Sequence, residues 1–288
     1  MSATGTIPAS AIASFHLVRY DDLGAMSHMA FDRPLLRGTP GLRFWRLLGT
    51  GRGRAMSLGA DLRRWALFAV WRCEDDLEAF LRTSPIAARW RAEARERWQV
   101  RLAPLASRGT WSGRDPFAGE RVASRIGEPI GGGPGEQGER PRQGGDQPGQ
   151  HGDRRGALTV RGGGPLAVQE GGAGPARGGG PVAVLTRASI RARRLVAFYR
   201  SVPSVEELLR RQDGCLASIG MGEWPVARQA TFSLWRDAAA VRAFAYRGAA
   251  HRQVIERVRA DDWYAEELFA RFVPYASEGT WDGADPLR

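Results

Sequence analysis

Apolar and polar residues alternate along SFHLVRY (14–20) and again along VAVLTRA (182–188). That period of two predicts strands with one buried face. A helical period follows each, over 22–37 and 193–211. A glycine, Gly41 or Gly214, then stops the helix before a second predicted strand, 42–48 or 215–221. WALFAVW (65–71) and ATFSLW (230–235) predict a third strand in each half. CEDDLEAF and RDAAAVRAF open a second helix, with acidic residues at the positive end of its dipole. A last strand in each half runs into a Gly-Thr-Trp turn.

The same order of elements thus occurs twice, and the residues agree. SRGTWSGRDPF (107–117) is matched by SEGTWDGADPL (277–287). RRWALFAVWRCEDDLEAF (63–80) is matched by ARQATFSLWRDAAAVRAF (227–244), which pairs Trp71 with Trp235 and Phe80 with Phe244. TPGLRFWRLLGTG and QDGCLASIGMG correspond more loosely. Repetition at this scale means two copies of one structural unit. Each copy reads as a ferredoxin-like βαββαβ unit. The expected fold is α+β: two tandem ferredoxin-like units, residues 12–118 and 181–288, with their sheets packed face to face as a pseudo-dimeric α+β barrel.

Between the copies lies a segment of different character. Residues 119–180 hold 21 of the 37 glycines and no aromatic residue. Such a segment buries too little apolar surface to offset its ordering entropy, so a disordered Gly-rich linker is expected.

Charge changes the picture less than its size suggests. The formal net charge is +11, yet the sequence contains no lysine; all 42 basic residues are arginine. Composition bias accounts for most of that, so nucleic-acid binding by the arginine-rich surface is kept only as a rival reading. Cys73 and Cys215 form no metal pattern or disulfide framework, which suits a reducing, cytoplasmic setting. The N-terminal stretch lacks the features of a secretory signal, and WALFAVW is too short to cross a bilayer. Peripheral contact with a membrane surface stays open. No nucleophile motif, P-loop or dinucleotide fingerprint is present, and GTGRGR (49–54) reads as a turn.

The halves diverge most along GAAHRQVIERVRADDWYAEELFARF (248–272). His251 stands where the first half has Ala87 or Ala88. His251, Val254, Ile255 and Val258 fall at i, i+3, i+4 and i+7, which puts the imidazole on the apolar stripe of a helix. Two readings stay open on spacing alone. One is a core histidine bonded to a backbone carbonyl; the other is an axial haem ligand. His16 in the first strand, His28 at the end of the first helix and His151 in the linker are weaker candidates.

TPGLRFWRLLGTGRG, SRGTWSGRDPF, PVAVLTRASI, RQATFSLW, AHRQVIERVR and WYAEELFARF together resemble the spheroidene monooxygenase family of carotenoid biosynthesis. The resemblance covers nearly all of the chain outside 119–180. It implies a haem enzyme that oxidises an acyclic carotenoid, or a similar apolar polyene, with O2 and electrons from a reduced ferredoxin. It implies a keto group placed at C-2 and favours His251 as the ligand to the haem iron. The propionates of a haem need a cation, for which Arg187 is the first candidate and Arg252 the second, both of which also suit ordinary salt bridges. Gln229 is a candidate for a distal hydrogen bond and Trp235 for a pocket wall, although Trp71 at the matching position argues for plain core. The long Gly-rich insert departs from the family's short connection. A cofactor-free oxygenase of the same fold and a non-catalytic haem or lipid carrier are the alternatives.

Overall fold

The computed structural model describes residues 11–23, 27–52, 59–119, 124–125, 179–200, 209, 212–223, 228–247 and 263–288. The first half contributes β1 (Ile12–Arg19), α1 (His28–Arg37), β2 (Leu42–Gly51), β3 (Ala60–Trp71), α2 (Glu74–Thr83), α3 (Pro85–Glu93) and β4 (Glu96–Gly109). The second contributes β6 (Val182–Ile190), α4 (described over 195–200), β7 (Cys215–Glu223), β8 (Arg228–Trp235), α5 (Ala238–Arg247) and β9 (Tyr264–Gly279). Between them, β5 (Ser124–Arg125) pairs parallel with Ala106 and Ser107 of β4.

The architecture is α+β. Eight antiparallel strands run in the order β1-β3-β2-β7-β8-β6-β9-β4, and a β4–β1 pairing closes the ring. The halves face each other across the barrel interior and also join edge to edge, and closure leaves the eight long strands without a free edge. One seam is long, from Trp98↔Gly279 to Gly109↔Leu268 between β4 and β9. The other, between β2 and β7, consists of Gly49↔Gly222 and Thr50↔Met221.

Strand alternation decides what fills the barrel. Phe15, Leu17, Phe68, Val100, Leu185, Phe232, Leu268 and Phe272 point inward and form one buried cluster with Trp98 and Trp111. Phe15 and Phe232 stack at 4.0 Å and join the two halves through the centre. Full burial of each such ring is worth about 1.5–3 kcal/mol. The outward residues of the first half, among them Leu47, Leu67 and Trp71, pack under α1, α2 and α3 against Leu36, Phe80 and Trp90. Glu74, Asp75 and Asp76 occupy the first turn of α2, as the dipole favours. Ser84 caps α3 through the Ile86 amide, with Pro85 in the first turn.

Two sequence expectations shift. Residues 21–23 bend instead of opening α1, so His28 begins that helix and does not end it. Within the expected linker, Ser124 and Arg125 form a strand, while nearly all of the remaining segment lies outside the described residues.

The repeated Gly-Thr-Trp motif has a structural purpose. Gly109 and Gly279 adopt φ of +85° and +88°, and each amide plane crosses the other half's strand so closely that a Cβ would stand 2.1 Å from the carbonyl oxygen of Glu267 or Arg97. Thr110 N then donates to Glu267 O at 2.8 Å, and Thr280 N to Arg97 O at 2.9 Å. Each turn reverses through a residue of positive φ, Ser112 or Asp282, and is closed by a Trp111–Arg114 or Trp281–Ala284 bridge. A carboxylate from the opposite half receives each turn. Glu266 accepts from Thr110 Oγ1 and the Ser112 and Gly113 amides; Glu96 accepts from Thr280 Oγ1 and the Gly283 amide.

Candidate active site on the outer face of the second half

The register of the strands allows the two outer faces to be compared position by position. Ile12 pairs with Trp71, and Val182 pairs with Trp235. Four residues further, His16 pairs with Leu67 in the first half and Thr186 with Thr231 in the second. Two further still, Val18 pairs with Trp65, and Ala188 with Gln229. Large side chains on the outer face of the first half are thus replaced by Thr186, Thr231 and Ala188 in the second.

Among the described residues, the apolar packing on the two outer faces also differs. The outer cluster of the first half is continuous from Trp71 to Tyr20. Among the described residues, the second half has two. One gathers Val182, Val184, Leu209, Trp235, Val241 and Phe269; the other gathers Ile190, Phe198 and Trp263 with Tyr199 and Tyr264 against them. Thr186 and Thr231, both half-buried, lie on the sheet between the two clusters. The face is bounded by aromatic side chains at one end and by Trp235 at the other. A largely apolar group suits such a surface in polarity.

Gln229 borders this face. It is buried, and its Nε2 donates to Tyr199 Oη at 2.8 Å. Burial raises the Tyr199 pKa, with the Gln229 hydrogen bond opposing. Trp235 lies on the same side of β8 but is anchored: its Nε1 donates to Ser233 Oγ at 2.9 Å, and its ring packs on Phe244 at 5.2 Å. Trp71 makes the matching bond to Ser14 Oγ at 2.8 Å, so both tryptophans hold sheet to helix.

Arg187 does not join them. Thr186 and Ala188 point outward, so the residue between them points into the barrel. There Arg187 is 2% exposed, bonded to Glu266, 3.7 Å from Glu223 and 5.8 Å over the Trp111 ring. Its counterpart in the first half is Leu17. The expected propionate partner is instead an interior ion pair at the barrel's end. Arg46 completes that end, 3.0 Å from Glu223 and 4.3 Å over the Phe44 ring.

His251 and Arg252 lie outside the described residues. Among the described residues no group of three or more His, Cys, Asp or Glu side chains could hold a metal ion, and no helix is long and apolar enough to cross a membrane. Sequence reasoning missed Tyr199, Thr186, Thr231 and Glu266. Glu266 was findable: it stands as far from Glu96 as Trp281 stands from Trp111.

No family model matches the chain. Over 281 residues it is 32% identical to the spheroidene monooxygenase of Rhodobacter capsulatus, covering 96% of this chain and 95% of that protein. It is 31% identical over 246 residues to the spheroidene monooxygenase of Rubrivivax gelatinosus, covering 85% of this chain and 74% of that one. Among solved structures, an aldoxime dehydratase in complex with butyraldoxime shares the fold. It superposes with a TM-score of 0.52 at 12% identity, over 97% of this chain and 84% of that one.

Proposed function

Because the chain belongs to the spheroidene monooxygenase family, we propose that it oxygenates an acyclic carotenoid, or a like apolar polyene, at a haem seated on the outer face of its second half. The observation that carries this reading is the trimmed outer face there: half-buried Thr186 and Thr231 stand, at the matching register, where the first half has His16 and Leu67. The halves are read as duplicated ferredoxin-like units, the second of which carries smaller side chains at the centre of its outer face.

In this reading His251 would hold the iron, and Thr186, Ala188 and Thr231 would border the bound group on the sheet. Gln229, held by Tyr199, offers a hydrogen bond at its margin. Arg252 is the remaining propionate candidate, since Arg187 is committed inside the barrel. A haem bound there supplies reductive activation of O2, one oxygen atom entering a C–H bond and the other leaving as water, with two electrons and two protons consumed per turn. Reduced ferredoxin is the proposed electron donor. Two insertions at one carbon and loss of water would give a ketone. The protein's part is to exclude water and align the polyene, for which the apolar clusters flanking the threonines are suited.

The test is the visible spectrum of the purified protein, expressed with ample haem, beside His251→Ala. A Soret band that is lost or shifted in the variant supports the site and its ligand. A wild type without haem overturns the haem reading and leaves a cofactor-free oxygenase of the same fold.

A further inference from the structure

We propose that the first half holds a second ligand site, a cavity between the sheet and helices α2 and α3 that binds a small amphiphilic oxyanion, a carboxylate on a short alkyl chain. The site is independent of the haem reading, since it lies on the other half's outer face.

The cavity measures about 270 Å³. At roughly 30 Å³ per water-sized volume it holds a ligand of about nine or ten heavy atoms. Part of its wall is apolar: Val18 from β1, Leu81 from α2, Ala87 and Trp90 from α3, and Trp98 from β4. Beneath them lie His16 and Gln99. His16 is uncharged. Burial, with Arg101 nearby, holds its pKa at about 3 against the Gln99 hydrogen bond, and its Nε2 is 2.9 Å from Ser14 Oγ. The inner end therefore repels neither an alkyl chain nor an anion.

The rim decides the sign of the ligand. Arg82, Arg91, Arg97 and Arg101 border the cavity against Glu78 and Glu278. Glu78 is paired with Arg101, whereas Glu278 accepts from the neutral Gln99 Nε2 at 2.8 Å and keeps its charge. Arg101 is also bonded to Glu74, and Arg91 donates to the Leu81 carbonyl. Among the described residues neither Arg82 nor Arg97 has a carboxylate partner, and both are exposed. Four guanidinium groups against two carboxylates leave the rim net positive, which selects a carboxylate head, while the apolar part of the wall takes its tail.

Octanoate, with ten heavy atoms, is the probe. Titration calorimetry on the full chain is expected to show saturable octanoate binding, at least tenfold tighter than octanol or octylammonium. Arg82→Glu with Arg97→Glu should weaken it at least tenfold, and Leu81→Trp should abolish it by filling the cavity. Circular dichroism and the thermal midpoint confirm that each variant is folded; the two arginines are exposed, so that pair tests the site even if Leu81→Trp unfolds. No octanoate binding to the wild type, binding unchanged in the arginine pair, or octanol binding as tightly as octanoate would each overturn the proposal.

Discussion

The carboxylate of Glu266 accepts the Thr110 hydroxyl at 2.7 Å, and so ties the closing turn of the first half to the last strand of the second. Glu96 repeats the arrangement with Thr280 at 3.1 Å. The recurring motif is thus a pair of reciprocal latches across the long β4–β9 seam.

Glu266→Gln should loosen one latch. The carboxylate accepts two amides and a hydroxyl and meets Arg187, and hydrogen bonds to a charged group are worth about 1.5–3 kcal/mol each. A loss of about 2–3 kcal/mol is expected in urea unfolding at neutral pH. Burial raises the Glu266 pKa, but the Gly113 amide, the Thr110 hydroxyl and Arg187 outweigh it and hold it at about 2, against an ordinary 4.5. A depressed carboxylate pKa contributes stability above 4.5 that fades as pH falls toward 2. The gap between wild type and variant should narrow over that window. A gap that stays constant with pH would show the charge of Glu266 to be irrelevant.

Gly109→Ala and Gly279→Ala should each destabilise by at least about 2 kcal/mol, because positive φ is combined with a carbonyl 2.1 Å from the new Cβ. Gly113→Ala is the internal comparison. Its φ is also positive, at +72°, but nothing lies within 4 Å, so about 1 kcal/mol is expected. Equal losses at all three positions in chemical denaturation would mean that the close strand crossing contributes nothing.

The strands, the turn and the pairing of Trp71 with Trp235 were legible in the sequence because each rests on local alternation or on exact repetition. The direction of Arg187 was legible too: Leu185 and Arg187 share one face of β6, and Thr186 and Ala188 the other. Chemistry led the reading toward a propionate partner, and strand geometry overrules it. The trimmed outer face could not be read locally. Thr186 and Thr231 gain meaning only when the β6–β8 register sets them side by side and the β1–β3 register sets His16 beside Leu67. Edge-to-edge joining was equally hidden, since nothing in β4 alone names β9 as its partner.

Arg187→Met separates the barrel's interior from the proposed cofactor site. Removing the cation strands Glu266 beside Glu223, whose Oε2 already lacks a hydrogen-bond partner. Breaking a buried pair in this way costs about 3–5 kcal/mol, so the thermal midpoint should fall. The haem-to-protein ratio of the fraction that stays folded should match the wild type. A folded variant stripped of haem would return Arg187 to the site.

Thr231→Leu rebuilds on the second half what Leu67 provides on the first. Leu67 is buried in the outer cluster, whereas Thr231 is half-buried. The added apolar volume should raise the stability of the cofactor-free protein by about 1 kcal/mol, near the value of one buried methylene. The same side chain would occupy the floor on which the proposed haem rests, so the Soret absorbance per protein should fall severalfold. Stability and cofactor content therefore move in opposite directions. That opposition is the signature of a face kept open for a ligand, and the two readouts come from one thermal melt and one spectrum. If both fall together, Thr231 serves the fold alone and the cofactor lies elsewhere.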